Sequence, residues 1–193
     1  MTDDWIIGFM WAQGTLAEDR FTIRYKKDPA LLQGIAEHLG IPNRPFRPTE
    51  DRWALKMSAS QPIIQRLLEL GWTGRMDKER TYPTGEFNEA EFVRGYCYSK
   101  HYHSQPLRYK RDKTMYRIHQ LLIYGSLGVV DGIEWFFHSQ LHTGPKKIQL
   151  RKGSFGKYEG QTYAVVYQKK EEVFTLLEFI NSGGFPSIIR DDL

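Results

Sequence analysis

The chain has 193 residues, 40% of them hydrophobic and 14% aromatic. That suffices for one large domain or two small fused ones, and it excludes a disordered chain. No apolar run approaches the ~20 residues that span a bilayer.

The acidic start, Met1-Thr2-Asp3-Asp4, is unlike a signal peptide. The single cysteine, Cys97, can form no internal disulfide, so it reads as a small core residue in a reducing compartment. The expectation is a cytoplasm, nucleoid-associated or phage-infected. A net charge of +4 with a pI of about 9.1 says little taken whole. Its distribution says more. Lys100, Arg108, Lys110, Arg111, Lys113 and Arg117 stand against Asp112 alone. Lys146, Lys147, Arg151, Lys152, Lys157, Lys169 and Lys170 stand against Glu159 alone. The acids gather at Glu86, Glu89, Glu91, Glu171, Glu172 and Glu178, in segments that read as helices.

In chain order, Asp3 and Asp4 are N-cap candidates for a helix whose apolar residues run to Met10 and Trp11. The short Thr15-Leu16-Ala17 stretch can hide a strand. Arg20 to Lys26 alternates strictly and predicts a strand. Asp28-Pro29 caps a helix carrying Leu31, Leu32, Ile35 and Leu39, which Gly40 ends. Arg44 to Pro48 is an edge or irregular strand, limited by its prolines. Arg52 to Met57 alternates again. Ser60 to Leu70 is a helix stopped by Gly71. Residues 73–86, polar and punctuated by Gly and Pro, read as a linker between a first repeat, 1–72, and a second, 87–193.

Asn88 caps the next helix, with Glu91 three residues on and Phe87 and Phe92 at the staple positions. Strands follow over 107–111 and 116–124. A helix runs over 126–138, then strands over 147–152 and 162–167, joined by a loop holding Gly153, Gly156 and Gly160. A helix over 170–180 closes the order. The second half reads helix, strand pair, helix, strand pair, helix; the first reads helix, strand, helix, strand pair, helix, and matches it where 15–17 hides a strand. Leu32-Gln33-Gly34-Ile35 and Val130-Asp131-Gly132-Ile133 match at equivalent helices, as do Leu67-Leu68-Glu69-Leu70 and Leu176-Leu177-Glu178-Phe179. This supports an internal duplication.

Two helical segments carry one small-residue pattern: Gly8 with Ala12, and Gly95 with Ser99. Residues four apart share a helix face, and a smooth face lets two helix backbones approach closely. Ile6-Ile7-Gly8-Phe9-Met10-Trp11-Ala12-Gln13-Gly14 and Val93-Arg94-Gly95-Tyr96-Cys97-Tyr98-Ser99-Lys100-His101, with the αββαββα order, resemble the LAGLIDADG homing endonucleases in their single-chain, two-repeat form. The resemblance covers nearly the whole chain. It implies an α+β fold of two pseudo-symmetric αββαββ-type halves with saddle-shaped antiparallel sheets, the motif helices forming the pseudo-twofold seam. In that family the helix ends deliver one catalytic carboxylate each to divalent metal and the scissile phosphates. Here the catalytic positions are Gln13 and Lys100, and the other acidic motif positions are Trp11 and Tyr98. The second copy also replaces the final glycine with His101.

The resemblance thus implies the fold without its cleavage, and no metal cofactor. Magnesium enters only with an active nuclease whose site is rebuilt around Glu18 and Asp19. Lys100 fits a phosphate contact. Strand alternation places Arg20, Thr22, Arg24 and Lys26 on one face, with Arg52 and Lys56, Arg108 and Lys110, and Lys147, Gln149 and Arg151 on the equivalent faces. Phe21, Ile23, Trp53, Leu55, Ile148 and Leu150 should pack beneath the helices. Such a two-faced sheet suits major-groove reading by strands, with salt-sensitive phosphate affinity. The expectation is a monomer that binds double-stranded DNA sequence-specifically as a repressor-like regulator. The alternatives are a nuclease with a rearranged metal site, a protein-interaction role, and maturase-like RNA binding on the same fold. His101, His103 and His119 lack acidic or Cys partners at convincing spacing and read as polar or phosphate-contacting rather than metal-binding.

Overall fold

The computed structural model describes residues 1–26, 28–74, 80–152 and 161–182. The glycine-bearing loop after residue 152 and the tail from Gly183 lie outside them. The first half runs α1 (Asp3–Gln13), β1 (Gly14–Ala17), β2 (Arg20–Tyr25), α2 (Pro29–His38), β3 (Phe46–Thr49), β4 (Arg52–Ser58) and α3 (Pro62–Glu69). The second runs α4 (Glu89–Lys100), β5 (His101–Ser104), β6 (Leu107–Tyr109), β7 (Met115–Arg117), β8 (Gln120–Gly125), α5 (Leu127–Gln140), β9 (Gln149–Lys152), β10 (Gln161–Tyr167) and α6 (Lys170–Asn181). The hidden strand is β1.

The first sheet has the order β1-β2-β4-β3 and the second β5-β8-β10-β9, both antiparallel. These are one topology used twice. The strand expected over 116–124 is instead two, β7 and β8, and β6 pairs with β7 as a separate ribbon. Residues 118 and 119 lie between them opposite Pro106, which has no N–H to give to a ladder. One apolar cluster runs through both halves, from Trp5 through Phe92 to Ile180.

Local chemistry explains most element ends. Thr2, rather than Asp3 or Asp4, is the N-cap of α1: its hydroxyl accepts the Trp5 N–H. The two aspartates stand in the first turn, where the helix dipole favours negative charge. Asp28 accepts the Ala30 N–H and Pro29 opens α2. Gly40 and Gly71 adopt φ of 63° and 96° just past α2 and α3, a conformation that favours glycine. Asn88 accepts the Glu91 N–H, and Phe87 meets Phe92 edge-on at 5.5 Å. The capping box stays open. The Asn88 N–H goes to Asp4 Oδ2, while Glu91 accepts from Thr2 and Arg94. These crosslinks join the N-terminal ends of α1 and α4, so the two helices run parallel and end on the same side.

Candidate nucleic-acid interface

The seam between α1 and α4 is built by Gly8 and Gly95. A Cβ on Gly8 would overlap the Phe92 carbonyl, and one on Gly95 the Trp5 carbonyl. Each glycine therefore receives the backbone three residues before the other. The rings repeat the exchange: Trp5 meets Tyr98 at 5.4 Å and Phe92 meets Trp11 at 5.5 Å, both edge-on. Swapping the helices maps each contact onto its partner, which is a local twofold axis through the seam. Trp11 is fully buried and Tyr98 partly buried. The second acidic motif positions have therefore become core. Ala12 is half-buried against that core, and Ser99 donates to Tyr96 O of its own helix at 3.2 Å.

Gln13 and Lys100 are the last residues of α1 and α4. Two helix C-termini meet on this side, and their partial negative charge favours cations. Two cations are there. Arg80, from the stretch read as a linker, is 8% exposed. Its Nη1 donates to Trp11 O at 2.6 Å, its Nη2 donates to Gly74 O, and its guanidinium lies 5.2 Å from the Trp72 ring centre. Ser126 Oγ donates to Arg80 O at 2.5 Å and so ties the segment to the start of α5. Lys100 is half-buried, and its ammonium makes no hydrogen bond among the described residues. Burial, then the Arg80 charge, holds its pKa below the ordinary lysine value. Nothing in the linker's spacing points to Arg80. It shares its polar stretch with Arg75 and Lys78, so the sequence does not single it out.

These side chains do not fit a hard divalent cation, which requires oxygen ligands and favours charged ones. Gln13 offers one neutral amide oxygen, while Lys100 and Arg80 are positive. Glu18 and Asp19 form the exposed β1–β2 turn, with Glu18 at φ 54° and Asp19 3.8 Å from Arg20. Four strand residues, roughly 13 Å, separate them from the helix end. Among the described residues no group of three or more His, Cys, Asp or Glu side chains could hold a metal. His101 Nδ1 meets Cys97 O at 2.7 Å, and His119 Nδ1 lies 3.4 Å from His103 Nε2.

On the sheet faces turned from the helices, Arg20, Arg24, Lys26, Arg52 and Lys56 are exposed, as are Gln149 and Arg151. Thr22 is not: it is 8% exposed, closed in on the central strand between Thr15 and Lys56. Arg24 reaches across to Thr15 Oγ1 at 3.3 Å. Lys147 precedes β9 instead of lying in it. Leu150 does not pack beneath the helices. It sits on the edge strand β9 and is 43% exposed. Arg108 and Lys110 lie on and next to the β6–β7 ribbon, outside both four-stranded sheets. The alternation missed Asp51 in the β3–β4 turn, 3.6 Å from Lys26 and 3.5 Å from Arg52. Thr49, then those two cations, hold its pKa below the usual carboxylate value. The second sheet's outer face is more aromatic than basic, with Tyr102 51% exposed and Tyr124 part-exposed.

No protein-family model matches the chain, and no curated protein matches it by sequence. Solved structures do match. The meganuclease I-SmaMI bound to uncleaveable DNA aligns with TM-score 0.66 and 12% identity, over 97% of this chain and 86% of that one. The LAGLIDADG meganuclease I-AabMI bound to uncleaved DNA aligns with TM-score 0.63 and 11% identity, over 97% and 86%. I-SmaMI bound to cleaved DNA aligns with TM-score 0.63 and 12% identity, over 94% and 83%. At these identities the likeness is one of fold. The chain has the α+β fold of the single-chain LAGLIDADG meganucleases, with its two four-stranded antiparallel sheets.

Proposed function

We propose that this chain binds double-stranded DNA sequence-specifically across its two sheets, as a single chain with an internal twofold, and holds it uncut in a repressor-like role. The observation that carries this reading is the pair of helix ends. The fold, whose solved examples are bound to DNA, brings Gln13, Lys100 and a buried Arg80 together there, with no carboxylate among the described residues. A cationic centre attracts a phosphodiester and repels the metal that would help to break it. The exposed cations of the first sheet add phosphate affinity, and the strands present Gln149, Tyr102 and Tyr124 towards base edges.

Selection from a random duplex pool, followed by gel-shift titration over a salt series and incubation with magnesium and with manganese, tests this. The expected result is an enriched duplex, affinity that falls with salt, and intact strands under both metals. Failure to retain any duplex overturns DNA binding. A specific double-strand cut overturns the non-cleaving half.

A further inference from the structure

The β6–β7 ribbon is a continuation of the β5–β8 hairpin. Ser104 faces Gln120 and Leu107 faces Arg117 in a single register, and the Ile118 N–H donates to Pro106 O at 3.2 Å between them. The turn is closed by Lys110 N–H to Thr114 O at 2.9 Å and by Lys113 N–H to Lys110 O at 3.0 Å. The matching hairpin of the first half, β1–β2, turns at Glu18-Asp19, directly after Ala17 pairs with Arg20. The second-half hairpin therefore extends about six residues further per strand, roughly 20 Å beyond the sheet.

Every residue from Leu107 to Arg117 is exposed. The arm carries Arg108, Lys110, Arg111, Lys113 and Arg117 against one acid, Asp112, whose carboxylate is turned inward onto the Thr114 N–H at 2.9 Å. None of the five cations makes an ion pair among the described residues, whereas in the first sheet Arg20, Lys26 and Arg52 all do. In strand parity Arg108, Lys110 and Tyr116 fall on the same face as Tyr102, Ser104 and Tyr124, the face turned from the helices.

We infer that this arm is a second DNA contact, specific to the second half, that follows the duplex past the edge of the two sheets. It rests on the DNA-binding reading above. A two-stranded ribbon fits a major groove, and unpaired guanidinium and ammonium groups at its tip complement the flanking phosphates. The footprint is therefore asymmetric: protection runs further on the β5–β8 side, by about six base pairs at ~3.4 Å each.

Hydroxyl-radical footprinting on the selected duplex compares the full chain with the triple variant R108A/K110A/R111A. A second variant replaces residues 105–119 by a two-residue turn. The full chain should protect an asymmetric stretch. Both variants should keep the central protection and lose the flank, and the triple variant's log-affinity against log-salt slope should fall by about 2 to 3. A symmetric footprint, or a flank and slope unchanged in the triple variant, overturns the arm as a DNA contact, as does an arm that binds protein while leaving DNA protection intact. Loss of central and flanking protection together in the triple variant, whose changes are all on the surface, overturns the separation of arm from core. If the full chain protects no duplex, the DNA-binding reading has failed and the arm inference falls with it.

Discussion

The two halves agree at the seam and disagree at the rim. Across the axis, Gly8 and Gly95 meet equivalent carbonyls, and Trp5–Tyr98 mirrors Phe92–Trp11. Away from it, a two-residue turn in one half answers a cationic arm in the other, and a basic sheet face answers an aromatic one. Close packing between backbones tolerates no drift, because an added methyl has nowhere to go. Exposed strand faces carry no such constraint, so they are free to diverge. The helix ends lie between these regimes: both keep their place, while Gln13 and Lys100 differ by a full charge.

The largest effect is expected from breaking the symmetric part. Gly8→Ala and Gly95→Ala should each destabilise the chain by about 3 kcal/mol, because each drives a Cβ into main chain that cannot rotate away. Urea unfolding should give matching losses. The double variant should lose less than the sum, since the first methyl has already spread the helices. Losses that differ strongly would mean that the seam is not a working twofold.

The seam was legible because glycine four residues before another small residue is a steric statement, and the strands because alternation reports a two-sided sheet. What escaped has physical reasons too. Arg80 is buried against Trp11 O, far off in sequence, and against Trp72 across an irregular segment, so no local period marks it. Asp51 neutralises Lys26 and Arg52 from a turn, outside any strand pattern. Thr22 follows the alternation yet is covered, since the central strand leaves room only for side chains long enough to climb out. Pro106 interrupts a hairpin that the sequence shows as separate strands.

The helix ends can be compared by removing the charge that distinguishes them. Lys100→Met should raise stability by about 1 kcal/mol at pH below the lowered folded pKa of Lys100, since it deletes a half-buried ammonium beside Arg80. The same variant should bind the selected duplex more weakly, which separates a functional cation from a structural one. In the parent, Lys100 releases its proton at lower pH when folded than when unfolded. Its burial cost is therefore fully present below the lowered folded value and relieved as pH rises from there to the ordinary one, and Lys100→Met should remove that rise. A destabilised Lys100→Met chain would show that the ammonium supports the fold.

The sheet faces differ partly through one acid. Asp51→Asn should free Lys26 and Arg52 and tighten duplex binding about threefold near 0.1 M salt, with a steeper salt dependence. Arg24→Ala and Lys56→Ala, at cations outside that network, should weaken binding more than Arg52→Ala does. Equal losses for all three would show that Asp51 releases its partners when DNA arrives.

The smallest effect belongs to the arm's root, where the first half has no counterpart. His103 and His119 lie in line on either side of the hairpin, and His119 packs 4.8 Å from Phe174 of α6, above which Lys170 sits at 5.9 Å. Burial, then the neighbouring His119, lowers the His103 pKa below its ordinary value. The folded chain therefore binds fewer protons than the unfolded one between that lowered value and about 6.5. Stability is fully present above the ordinary histidine value and declines as pH falls through the folded one. Thermal midpoints measured from pH 7.5 to 5 should fall slightly, and His119→Gln should flatten the trend by removing one of the two charges. The arm should loosen at the same low pH, seen as faster amide exchange over β6 and β7 with β1 and β2 unchanged. Equal loosening of both hairpins would assign the trend to the fold at large rather than to the histidine pair.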